Sequence, residues 1–229
     1  MKVTHIILSV IIINQLITPV SAAKKKSIPI EAVDRYTPRT FTIVMNENQQ
    51  FSQKQLDDHF TLYRGYVNKR NEIDEKLLST PRTNQNITYS PFRGLKTSET
   101  FARNGMLLHE LYFENIKTGT IIGKKTHEVL IQNFGSLEAF KEDLMASAKC
   151  ARGWALTCYN LDDGRIQNYV LDSHNDKVPI LTIPLLVLDT YEHAYMIDFG
   201  INRAQYLDIL WDNINWDIVE ARIVQWMGE

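Results

Sequence analysis

The sequence predicts an α+β fold, in which an N-terminal antiparallel helical hairpin precedes a small antiparallel sheet with helices around it. Two long segments separated by a polar loop carry apolar residues at helical spacing. Further along, residues 153–161 and 166–171 have strand patterns on either side of an Asp162-Asp163-Gly164 turn, and the apolar run at residues 181–188 supplies a third strand. Helices followed by such a sheet are typical of the α+β class.

The first hairpin helix is predicted to begin after Ser52, which forms a capping-box pattern with Gln55, and to run to about Leu78. The second runs from about Ser98 to Asn115. Helical spacing returns at residues 126–151 and again at residues 203–225. The polar loop of the hairpin contains Asn86-Ile87-Thr88, a glycosylation sequon in form.

Residues 1–23 have the pattern of a secretory signal peptide. Lys2 precedes an apolar run at residues 6–20, and small residues follow at 21–23. The alternative is an anchor that stays attached, but Pro19 and the small-residue end favour cleavage. We therefore expect an exported protein, periplasmic or secreted, and no membrane association after cleavage because no later run approaches about 20 apolar residues.

The mature chain is expected to divide at a change of pattern marked by Gly119 and Gly123. Residues 24–120 would hold an N-terminal segment and the hairpin, and residues 121–229 the C-terminal domain. A net charge of −2 argues against nucleic acid as a partner. The two cysteines, Cys150 and Cys158, flank a strand-like stretch that would hold them too far apart to pair, so we expect two free, buried thiols.

The most informative side chains are histidines. His59 and His109 lie on apolar helix faces, and His193 follows Asp189 by four residues directly after the third strand. Each alone has an ordinary explanation, since a histidine on an apolar face is often a hydrogen-bonded core residue. Together, three imidazoles and a carboxylate suit a redox-capable metal such as iron or manganese. Spacing alone leaves both interpretations open.

A set of motifs in the same order along residues 52–226 resembles the iron/manganese superoxide dismutases. These are residues 189–195 (Asp-Thr-Tyr-Glu-His-Ala-Tyr), 109–115, 134–137, 153–155, 202–203, 206–207 and 211–216. The resemblance implies a helical hairpin followed by an α/β domain with a three-stranded antiparallel sheet. It also implies a superoxide dismutase that converts superoxide to dioxygen and hydrogen peroxide, with one manganese or iron ion per chain.

The resemblance implies a role for each matching residue. The metal ligands would be His59, His109, Asp189 and His193. Tyr66 would stand at the mouth of the substrate funnel, and His174 would take the place of a glutamine that bonds the metal-bound solvent. Trp154 would line the cavity, and Glu192 would bond the partner's His193 across a homodimer interface. Arg203 would steer the superoxide anion; the alternative for this residue is a structural ion pair.

Several positions depart from the family pattern. In the first helix, the spacing between the metal-ligand histidine and the tyrosine is one residue shorter than in the family, so Tyr66 lies seven residues after His59. In addition, Tyr63 stands where the family usually has a histidine. Tyr63 is therefore a competing candidate for the catalytic tyrosine.

Three further positions differ from some or all relatives. Tyr191 replaces a tryptophan, Met196 replaces a tyrosine, and Gly105 lies where the iron type often has glutamine and the manganese type glycine.

Two alternatives to a superoxide dismutase stay open. One is a non-catalytic or weakly active metal-binding protein on the same fold, and the other is a different oxygen-handling metalloenzyme.

Overall fold

The computed structural model describes residues 35–45, 47 and 51–228. The predicted signal peptide at residues 1–23 lies outside the described residues. The predicted boundary at residues 120 and 121 falls in the loop between the second and third helices. No helix among the described residues is both long and apolar enough to cross a membrane.

The helical hairpin is formed by α1 (Gln53–Ser79) and α2 (Pro91–Glu114). Contacts along the pair run in opposite directions, because the His59 ring packs on Phe113 whereas Arg70, further along α1, pairs with Glu99 near the start of α2. The helices are therefore antiparallel, as predicted.

The second helix begins about seven residues earlier than the predicted Ser98. Ser90 caps it, accepting a hydrogen bond from the Arg93 backbone N–H at 3.2 Å, and Pro91 occupies its first turn. Proline is well suited to that position because its fixed φ is helical and no N–H is needed there. The prediction missed this start because apolar spacing is weak between Pro91 and Ser98.

The C-terminal part begins with α3 (Lys124–Phe134) and α4 (Leu137–Cys150), followed by strands β1 (Trp154–Asn160), β2 (Ile166–Leu171) and β3 (Thr182–Asp189). The strand order is β2-β1-β3 and both pairings are antiparallel. Pro184 lies on the edge strand β3, beside a register shift at Thr157/Cys158, where a missing N–H is tolerated. This confirms the predicted α+β class and three-stranded sheet.

After β3 the chain makes a short 3-10 turn (Glu192–Ala194) and then forms α5 (Met196–Phe199), α6 (Arg203–Asp212) and α7 (Trp216–Met227). The core lies between the central strand β1 and the surrounding helices. Both cysteines are free as predicted. Cys158 is buried, whereas Cys150, at the last position of α4, is exposed, so the prediction of two buried thiols was wrong for Cys150.

Candidate metal centre

Four side chains converge between the hairpin and the sheet. His59 comes from α1, His109 from α2, Asp189 from the end of β3, and His193 from the 3-10 turn; one nitrogen or oxygen of each lies within 4.8 Å of the others. The Asp189 Oδ2 atom is 3.1 Å from the Nε2 atoms of both His59 and His193. It is 3.7 Å from Nε2 of His109. The four residues named from the sequence therefore present their donor atoms to one point.

The electrostatics favour an anionic carboxylate beside two neutral imidazoles, those of His59 and His109. Burial alone would raise the pKa of Asp189, but His193 and His59 outweigh it and hold that pKa well below its usual range. Burial lowers the pKa of His59 and of His109. For His193 the charge of Asp189 outweighs burial and raises the pKa. A metal ion binds the neutral form of an imidazole, and the lowered pKa values of His59 and His109 favour that form in two of the three histidines.

His109 shows directly that the cluster fits a metal ion. Its Nδ1 lies 2.5 Å from the carbonyl oxygen of Gly105, which can only accept, so Nδ1 carries the proton. Its Nε2 lone pair, fully buried, has no hydrogen-bond partner among the described residues. A buried, unpartnered imidazole nitrogen aimed at a carboxylate is the arrangement a metal ligand needs, with the Gly105 carbonyl fixing the ring.

Asp189 is held from behind by two buried tyrosines. The Tyr206 hydroxyl donates to the Asp189 main-chain carbonyl at 2.7 Å, and the Tyr112 and Tyr206 hydroxyls lie 3.1 Å apart. The Oδ1 atom of Asp189 accepts the backbone N–H of Tyr191 at 3.0 Å. Oδ2 is thereby left to face the histidines.

A hydrogen-bonded series leads away from the cluster through Trp154, His174 and Tyr66. Trp154 lies opposite Asp189 in the sheet register, and its Nε1–H donates to His174 Nδ1 at 2.9 Å. Burial lowers the pKa of His174 to about 4, so the ring is neutral at pH 7 and its one proton is on Nε2. That Nε2–H donates to the Tyr66 hydroxyl oxygen at 2.7 Å. The hydroxyl proton of Tyr66 is then free to be donated elsewhere.

Tyr66 also borders an open cavity of about 590 Å³ between α1 and α2. Gly65, Lys69 and Phe101 contribute to its wall. Gly105 packs so closely on the other side that a Cβ atom there would come within 2.8 Å of the Tyr66 ring. A glutamine at this position would therefore displace Tyr66.

Tyr63, the competing candidate, faces another part of the hairpin. Its hydroxyl donates to Glu110 Oε1 at 2.8 Å and accepts the backbone N–H of Arg39 at 2.9 Å. It thus anchors the N-terminal segment, and Arg39 adds ion pairs to Glu110 at 3.6 Å and to Glu114 at 2.5 Å. Of the two tyrosines, the geometry favours Tyr66 as the one beside the cluster.

The remaining predicted residues occupy different surroundings. The Tyr191 ring stacks on His193 with centroids 5.1 Å apart, so it forms a wall of the site. Glu192 is exposed on the 3-10 turn. Arg203 is directed at the end of α4, where its Nη1 donates to the carbonyls of Ala151 at 2.8 Å and Lys149 at 3.3 Å. Its guanidinium lies over the Tyr195 ring.

Sequence reasoning missed Gln55 and Tyr206 as residues of this site. Gln55 donates from Nε2 to the carbonyl of His193 at 2.5 Å, and Tyr206 supports Asp189 as described above. The capping-box pattern drew attention to Gln55, but only its backbone role could be inferred. Tyr206 belonged to a matching motif, without a signal that its hydroxyl reaches the strand end.

Comparisons with known proteins agree on one family. Residues 123–222 match the family described as "Iron/manganese superoxide dismutases, C-terminal domain". An iron superoxide dismutase of Aquifex pyrophilus is 38% identical over 203 residues, covering 84% of this chain and 90% of the relative. That of Aquifex aeolicus is 39% identical with the same coverage. A manganese superoxide dismutase of Haloferax volcanii is 30% identical over 169 residues, covering 73% of this chain and 83% of the relative.

Proposed function

Because this chain belongs to the iron/manganese superoxide dismutase family, we propose that His59, His109, Asp189 and His193 hold one iron or manganese ion per chain. The chain is an oxidoreductase that converts superoxide to dioxygen and hydrogen peroxide. The single observation that carries the site assignment is the convergence of these four donors, including the unpartnered Nε2 of His109.

The reaction consumes two superoxide anions and two protons and yields one dioxygen and one hydrogen peroxide. A bound iron or manganese ion supplies the one-electron redox chemistry. The protons come from solvent, and the chain's own residues would pass them to the site. Burial raises the pKa of Tyr66 to about 12, so its hydroxyl remains protonated at neutral pH. With its oxygen already accepting from His174, Tyr66 presents its proton toward the site as a general acid.

The test is metal analysis combined with a superoxide assay on the purified protein, reconstituted separately with iron and with manganese. We expect about one ion per chain, and turnover far above that of the free ion with at least one of the two metals. His109→Ala should abolish both metal retention and turnover, because it removes one ligand and exposes the Asp189 charge to a cavity. Stoichiometric metal without turnover would instead establish the non-catalytic alternative.

We further propose that the chain is exported after cleavage of residues 1–23 and forms a homodimer through Glu192 and His193. The signal-peptide pattern supports export. The exposed Glu192, the partly exposed His193 side chain, and the exposed apolar residues Met196 and Ile197 that follow support an interface at this turn. N-terminal sequencing of protein recovered outside the cytoplasm tests the proposed export and cleavage.

A further inference from the structure

The start of α1 is attached to the segment that follows β3. Ser52 caps the helix and accepts the backbone N–H of Gln55 at 3.1 Å. In a complete capping box the Gln55 side chain would bond the Ser52 N–H in return. Here that N–H donates to Asp198 Oδ2 on α5 at 2.7 Å, so the amide of Gln55 is free to bond elsewhere.

The Gln55 amide instead donates from Nε2 to the main-chain carbonyl of His193 at 2.5 Å, across 138 residues of sequence. Gln55 is only 1% exposed, so this bond is formed away from competing water. Its Oε1 atom has no hydrogen-bond partner within the described part of the chain. The N–H is therefore the polar group through which this side chain acts on the site.

His193 depends on such support more than the other two histidines. His59 and His109 are held in helices of 27 and 24 residues, whereas His193 lies in a 3-10 turn of three residues. Its side chain is 29% exposed, against 2% for His59 and 0% for His109. A short turn has few hydrogen bonds of its own, so a bond from outside has a large effect on where its imidazole lies.

Gln55 precedes His59 by one helical turn, so the two side chains project from the same face of α1. One turn of a regular helix thus carries one candidate ligand and holds the backbone of another. The Gln55 bond therefore connects the backbone that carries His59 directly to the backbone of His193.

We propose that Gln55 is a positioning residue, which sets the His193 imidazole for metal binding through the main-chain carbonyl of that residue. The inference rests on the proposed metal site. Partners that orient a ligand without touching the metal typically change metal affinity by about 10–100-fold when removed.

The test replaces Gln55 by methionine, which keeps the length of the side chain and removes the donor. Gln53→Met is a matched control, because Gln53 lies in the same helical turn but bonds the exposed Asp57 at 2.8 Å. The full chain is loaded with iron, and the release of iron to a strong chelator is timed. We expect release about tenfold faster or more from Gln55→Met, and a changed ferric electron paramagnetic resonance spectrum, with Gln53→Met like the wild type in both.

Release rates and spectra of Gln55→Met within twofold of wild type would overturn the inference. Should Gln55→Met fail to fold by circular dichroism, Gln55→Leu serves instead, since an apolar side chain of similar volume cannot donate and should give the same result. A wild-type chain that retains no iron or manganese would refute the proposed function itself. If wild type and variant both retain iron equally well, the role of Gln55 is refuted while the proposed metal site stands.

Discussion

His174 differs from a glutamine in the number of protons that it can donate. A glutamine amide has two N–H donors, whereas a neutral imidazole has one. Because Trp154 occupies Nδ1, the single proton of His174 is on Nε2 and is committed to Tyr66. The direction of every bond in this series is thus set by the tryptophan at its buried end, and the tyrosine at its outer end remains a proton donor.

The two tyrosines of α1 should separate catalysis from stability. Tyr66→Phe removes the proposed proton donor, and we expect kcat to fall about tenfold. This is less than the ~10²–10⁴-fold typical of a lost general acid, because solvent in the cavity also supplies protons. Tyr63→Phe removes the hydrogen bond to Glu110 and the acceptor of the Arg39 N–H, so it should cost about 1–2 kcal/mol of folding free energy and leave kcat within about twofold.

Stopped-flow superoxide decay and urea unfolding on the two metal-loaded variants check this pair. A large loss of kcat in Tyr63→Phe, with Tyr66→Phe unaffected, would reverse the assignment of the catalytic tyrosine.

At the scale of elements, α3 begins without a capping side chain of its own. Gly123 is its N-cap, and the carboxylate of Glu220 from α7 takes the place of a cap. Glu220 accepts the backbone N–H groups of Lys125 at 3.0 Å and Thr126 at 2.6 Å, and also the Thr126 hydroxyl. A Cβ at position 123 would lie 2.5 Å from the Glu220 carboxyl carbon, so the glycine leaves space for the carboxylate.

Glu220→Ala should therefore destabilise the protein by about 1–2 kcal/mol, since it removes a negative charge from a helix N-terminus together with its hydrogen bonds. Glu128→Ala is the control on α3, because its pairing with Lys124 at 3.8 Å is exposed and should contribute less than about 0.5 kcal/mol. Urea unfolding of both variants gives the comparison. Equal losses of unfolding free energy in Glu220→Ala and Glu128→Ala would show that α3 does not depend on the Glu220 cap.

Most elements could be predicted because their signals are local. The Ser52 cap, the Asp162-Asp163-Gly164 turn and the apolar strands each depend on neighbouring residues, and the observed bounds lie close to the expected ones. The sequence does not indicate the early start of α2, because Pro91 directly follows a polar loop and apolar spacing is weak from there to Ser98. The use of Glu220 as a cap could not be foreseen, since its partners are 94 and 95 residues away.

The same distinction applies to the site. Residue type and family motifs named the four converging side chains, because ligand chemistry requires particular residues. The choice between Tyr63 and Tyr66 depended on which hydroxyl faces Glu110 and which faces His174, and both contacts cross between elements. The amide of Gln55 was unpredictable for the same reason.

At the scale of the whole molecule, the proposed homodimer makes Glu192 a residue of the assembly. A carboxylate that reaches the partner's His193 would bring charge and hydrogen bonding across the interface. We expect Glu192→Ala to raise the dimer dissociation constant at least about tenfold, or about 1.4 kcal/mol. Asp162→Ala, in the exposed turn after β1, should leave it unchanged. Sedimentation over a concentration series measures both, and a monomeric wild type would refute the dimer.

The spacing of the four side chains along the chain has a consequence for how the protein matures. In sequence, 130 residues separate His59 from Asp189, and His193 comes later still. A growing chain therefore offers no complete set of donors until most of it has been synthesised, and α1 cannot hold the His193 turn before that turn exists. An ion held by all four side chains can therefore enter the proposed site only after the last of them has been synthesised and folded into place.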